Sequence, residues 1–101
     1  MNPQNSSFYP TFNPTHTFDE ISSSNIDLDV LIVPGGPGVR NPDLAPEIEF
    51  VKKVFPRVKY LVTICTGASI AARAGVLDGK RATTNKAAWD QVTPLGPNVK
   101  W

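Results

Sequence analysis

Tyr60 to Gly75, YLVTICTGASIAARAG, is the stretch whose reading decides the fold. Leu61, Val62, Thr63 and Ile64 are apolar or β-branched. They are too few for a helix and show no helical period, so they predict a buried strand. Cys65, Thr66 and Gly67 follow. Ala68 to Ala74 is a run of small helix formers, and Gly75 stands where a helix ending in a left-handed residue places its glycine. Strand, sharp turn and helix therefore put Cys65 at a corner, at the carboxyl end of a sheet and the start of a helix. This is the geometry of a nucleophile elbow. A helix N-terminus lowers a thiol's pKa and favours the reactive thiolate. Backbone N–H groups at such a corner can hold a developing oxyanion. The competing reading is a structural cysteine buried at a strand end.

Working outward, Leu28 to Val33, LDVLIV, is a second strand candidate. Apolar side chains on both faces suit a parallel strand covered on both sides. It ends in Pro34-Gly35-Gly36-Pro37-Gly38, where proline stops the ladder and glycine permits positive φ. The loop lacks the lysine of a phosphate-binding P-loop and the third glycine of a dinucleotide fingerprint. Asn41 to Phe55 predicts a helix, with Pro46 in its first turn, Glu47 and Glu49 at its positive end, and Lys52 and Lys53 late. Pro56 ends it. Strand, helix, strand, helix is a βαβ unit, so both strand-end turns open at one carboxyl edge, where α/β sites lie.

The flanks are less regular. Residues 1–27 are rich in Asn, Ser, Thr and Pro and predict irregular chain with a few aromatic anchors, Phe8, Tyr9, Phe12 and Phe18, and a short extended piece near Tyr9–Phe12. His16, the only histidine, reads as a surface loop residue. After Gly75, Val76 to Lys80 predicts a turn and Arg81 to Thr84 a short strand. Lys86 to Val92 predicts a short helix capped by Asn85, and Val99 to Trp101 a strand beginning.

The chain has 101 residues and a formal charge of +1, which allows one domain and no basic stripe. Neither a nucleic-acid nor an anionic-membrane surface is expected. No apolar run approaches a membrane span, and the first residues lack the charged and apolar regions of a signal peptide. One cysteine cannot form an internal disulfide. A reducing compartment, the cytoplasm, is therefore expected. No cofactor and no metal are expected, and no ligand-type cluster surrounds His16.

LDVLIVPGGPGVR, VTICTGASIAARAGVLDGKRATTNKAAW and LGPNVKW together resemble the ThiJ/PfpI superfamily, of the class I glutamine amidotransferase-like fold, in its isonitrile hydratase-like branch. The resemblance covers residues 9–101 and rests on the coupled Pro-Gly-Gly and Ile-Cys-Thr-Gly motifs. It implies a flavodoxin-like three-layer α/β/α fold with a parallel sheet. It also implies that Cys65 is the nucleophile, that the backbone N–H of Thr66 serves the oxyanion hole, and that Gly35 and Gly36 supply the other backbone donor. Asn85 stands where several relatives have histidine. Family members open with a strand whose acidic residue hydrogen-bonds the cysteine, and they continue well past the position of Trp101. Neither feature is found here, so the expectation is a partial domain over 28–101, incomplete at both ends, behind the irregular segment 1–27.

The resemblance and the cysteine corner together imply two candidate functions. One is a lyase or cysteine-dependent hydrolase acting on a small electrophilic C–N or carbonyl compound. The other is a redox-sensing or non-catalytic relative without turnover. The expected partners are a small-molecule substrate and, through an uncovered sheet edge, a second copy or a longer relative.

Overall fold

Two parallel strands, β1 (Val30–Val33) and β2 (Tyr60–Thr63), form the sheet, with Val30 opposite Tyr60 and Val33 opposite Thr63. They belong to a computed structural model that describes residues 11–101. Between them run a 3₁₀ turn, Pro37–Arg40, and helix α2 (Ala45–Val54), which gives the expected βαβ crossover. After β2 a single 3₁₀ turn, Cys65–Gly67, leads into helix α3 (Ala68–Arg73). Gly75 adopts φ +79° just beyond it, the left-handed stop that its position predicts.

Side chains alternate across a strand, and the two faces of this sheet have different fates. On one face Leu31, Val33 and Leu61 join Val51, Ile70 and Ala74 in a core beneath α2 and α3. Ala71, Ala72, Leu77 and Val99 extend that core toward the end of the chain. On the other face Val30, Ile32, Tyr60, Val62 and Ile64 are 42 to 65% exposed. The parallel α/β fold is thus present. The described residues build its sheet and one helical layer, and none of them covers the second face.

The N-terminal segment departs from expectation. Instead of irregular chain it holds a helix, α1 (Phe18–Ser23), started by a reciprocal capping box between Thr17 and Glu20. Phe18 stacks on Phe50 of α2 with ring centroids 4.5 Å apart. The Arg57 guanidinium donates to the carbonyl oxygens of Ile21, Ser22, Ser24 and Ile26, holding the end of α1 and the chain after it. Phe12 anchors nothing, being 84% exposed. Phe8 and Tyr9, with half of the extended piece expected there, lie outside the described residues; Thr11 and Phe12 form no strand.

Smaller differences occur elsewhere. Arg81 to Thr84 forms no strand, only one parallel bridge from Arg81 to Lys100. Lys86 to Val92 divides into a 3₁₀ turn, Lys86–Ala88, and helix α4 (Trp89–Val92), with Asn85 as the cap. A further 3₁₀ turn, Thr93–Leu95, leads to Trp101, whose indole N–H donates to the Gly96 carbonyl at 2.9 Å.

Candidate active site

The carboxyl ends of β1 and β2 meet because two glycines let their turns touch. A Cβ on Gly67 would lie 2.3 Å from the Val33 carbonyl oxygen. One on Gly35 would lie 2.8 Å from both the Thr66 nitrogen and the Thr66 hydroxyl oxygen. Any side chain at either place would push the turns apart. With both glycines present, the Ile64 N–H reaches Val33 O at 3.0 Å and continues the ladder beyond β2.

Cys65 sits at the resulting corner with φ +57°, the only non-glycine residue at positive φ among those described. Left-handed backbone disfavours a side chain, so the position carries strain, and that strain aims the sulfur outward. The cysteine is exposed, which excludes the buried structural reading. Three donors converge on it. The Asn85 side-chain N–H donates to Sγ at 3.2 Å. The Thr66 backbone N–H and, more weakly, the Thr66 hydroxyl also point at the sulfur. Together they lower the thiol pKa from its usual value, with Asn85 the largest cause and Thr66 N–H the second.

In the glycine loop, the Gly36 N–H is already engaged within the protein. It donates to the Thr66 hydroxyl oxygen at 3.0 Å, tying the Gly35–Gly36 turn to the cysteine turn. Gly36 can take this role because its φ is +128°, a conformation that side chains rarely adopt. The Thr66 hydroxyl is thereby held in place, accepting from Gly36. Thr66 itself is buried at the centre of the site.

Thr84 was missed as a site residue. Its hydroxyl donates to the Cys65 carbonyl oxygen at 3.0 Å. The sequence carried a faint signal, two threonines and an asparagine in a row after the turn, but only the fold brings them to the corner. His16 is exposed, its ring paired with the Thr15 hydroxyl at 2.9 Å. Beside Thr66 lies a groove of about 410 Å³, walled by Val39, Pro42, Val92 and Leu95, with Arg40 and Arg73 on its lining. Among the described residues no three His, Cys, Asp or Glu side chains converge as a metal would require, and no helix is long and apolar enough to cross a membrane.

The sequence model of the DJ-1/PfpI family matches residues 5–100, nearly the whole chain. The chain belongs to the DJ-1/PfpI family. Within that family it is 39% identical over 85 residues to the isonitrile hydratase of Pseudomonas putida, covering 82% of this chain and 35% of that protein. It is 34% identical over 86 residues to the deglycase PfpI of Pyrococcus furiosus, covering 84% of this chain and 49% of that protein. An HTH-type transcriptional regulator of Mycobacterium tuberculosis is 45% identical over 51 residues, 50% of this chain and 20% of that protein. The chain thus spans about a third to a half of the length of the two enzymes it matches.

Proposed function

We propose that Cys65, as a thiolate, adds to the electrophilic carbon of a small C–N or carbonyl compound. One observation carries the reading: an exposed cysteine is held in left-handed backbone with its sulfur accepting from the Asn85 side-chain N–H. Backbone strain at one side chain recurs at functional sites, where the surrounding structure over-determines it. The names of the two enzymatic relatives, an isonitrile hydratase and a deglycase, suggest the two substrate types.

With an isonitrile, a C–S bond forms at the terminal carbon and that carbon takes a proton from water, leaving a thioimidate. Water then adds to the same carbon, the C–S bond breaks, and the thiolate leaves with release of the N-substituted formamide. With an aldehyde, the C–S bond forms and the carbonyl oxygen takes the proton, giving a hemithioacetal. The backbone N–H groups of Gly35 and Thr66 are the donors proposed for the negative charge that develops on the attacked group. Gly36 acts on Thr66 rather than on the substrate. The single cysteine favours a reducing compartment such as the cytoplasm.

Intact-mass spectrometry after exposure to an alkyl isonitrile, with proton NMR for the formamide, tests this. One adduct per chain and a rising formamide signal are expected, both lost in Cys65→Ser. Adduct or product that survives in Cys65→Ser overturns the reading. The same exposed sulfur supports a second one. A thiol that forms neither adduct nor product, yet is oxidised by hydrogen peroxide to a sulfenic acid that dithiothreitol reverses, would make the chain a redox-responsive relative.

A further inference from the structure

The Asn85 side chain makes two hydrogen bonds, and the first decides the second. Its side-chain oxygen accepts from the Ala87 N–H at 2.9 Å, capping the Lys86–Ala88 turn. That bond fixes which way the amide faces. The end turned to Cys65 Sγ, 3.2 Å away, is therefore the NH₂ group, which can only donate. Its neighbour Thr84 donates to the Cys65 carbonyl at 3.0 Å. Two consecutive residues thus grip the backbone and the sulfur of the same cysteine from a segment that lies 19 and 20 positions along the chain.

A donor that cannot accept prefers the anion. A hydrogen bond to a charged partner is shorter and roughly twice as strong as one between neutral groups, so an N–H aimed at sulfur favours thiolate over thiol. An amide takes up no proton near neutral pH. We propose that Asn85 is the residue that holds Cys65 as a thiolate, in place of a base that would remove its proton. The proton leaves to water, and Asn85 retains the anion behind it. This rests on the reading of Cys65 as the nucleophile. No charged group is among the causes of the lowered thiol pKa.

The test separates a thiolate holder from a mere cap. Asn85→Asp keeps an oxygen for the Ala87 N–H, so it keeps the cap, but it replaces the N–H at sulfur with a negative charge. Asn85→Ala removes both. The readouts are the pH titration of the thiolate's ultraviolet absorbance, with Cys65→Ser as the blank, and the iodoacetamide alkylation rate at neutral pH. The expected order of rates is wild type, then Asn85→Ala slower by about threefold or more, then Asn85→Asp slower by about tenfold or more, as loss of a hydrogen bond to a charged group implies. The titration midpoints should rise in the same order. An Asn85→Asp protein that titrates and alkylates like wild type overturns the proposal, since only a capping role would survive that change. That result would leave the nucleophile reading intact, because the nucleophile reading falls on the Cys65→Ser comparison instead.

Discussion

Cys65 concentrates the backbone strain and the proposed chemistry in one residue. Its φ of +57° suits glycine better than any residue with a side chain. Cys65→Gly should therefore unfold at a higher urea concentration than Cys65→Ala, although both lose the sulfur, and equal midpoints would show that the corner stores no strain. The lowered pKa has a consequence of fixed sign. Because the folded value lies below the unfolded one, the thiolate contributes stability above the unfolded pKa and loses it as pH falls through the folded pKa. Urea midpoints should rise with pH across that window in wild type and rise less in Cys65→Ser. At this scale the sequence showed the corner, the cysteine and the two glycines, because strand, turn and helix are adjacent in the chain. It did not show Thr84 or Asn85 against Cys65. Asn85 was legible as a cap from local pattern, but its contact with sulfur depends on how a distant turn folds back.

Among the elements, the two strand-end turns and α1 answer different questions. The turns are locked by close approach, so Gly67→Ala, whose Cβ would meet the Val33 carbonyl at 2.3 Å, should cost about 1–3 kcal/mol. It should also slow Cys65 alkylation by displacing Thr66. Chemical denaturation and the alkylation assay check the two effects separately, and an unchanged stability would mean that the turns are not in contact. Helix α1 is held by one stacked ring and by Arg57. Arg57→Ala should release it locally, seen as new protease cuts between Thr17 and Ile26 without loss of the β1–β2 core. Cuts that appear only with global unfolding would show that α1 is part of that core. The βαβ order was legible because hydrophobic runs, Pro56 and Gly75 mark its boundaries. The capping box at Thr17 and Glu20 was equally local, but the Ser- and Asn-rich composition around it masked the signal.

At the scale of the molecule, the decisive feature is the face of the sheet that no described residue covers. Val30, Ile32, Tyr60, Val62 and Ile64 stand in two adjacent rows, since Val30 pairs with Tyr60 and Ile32 with Val62. Their apolar character on both strand faces was read from the sequence as a demand for cover above and below, and the described residues meet that demand on one side only. Exposed apolar surface that is contiguous, unlike scattered single residues, drives association or aggregation. Each such side chain is worth about 1.5–3 kcal/mol when fully buried, a large share of the roughly 5–15 kcal/mol by which a domain is stable. The 101-residue chain should therefore elute from size-exclusion chromatography at a size that grows with concentration and should bind a hydrophobic dye. The double substitution Ile32→Lys with Val62→Lys acts on exposed positions of that face, so it should leave the core beneath α2 and α3 in place. Its expected effect is a shift toward monomer and a several-fold drop in dye fluorescence. A wild-type chain that stays monodisperse at every concentration, melts sharply and binds no dye would mean that this face is not sticky, and that the chain is a sufficient domain with two layers.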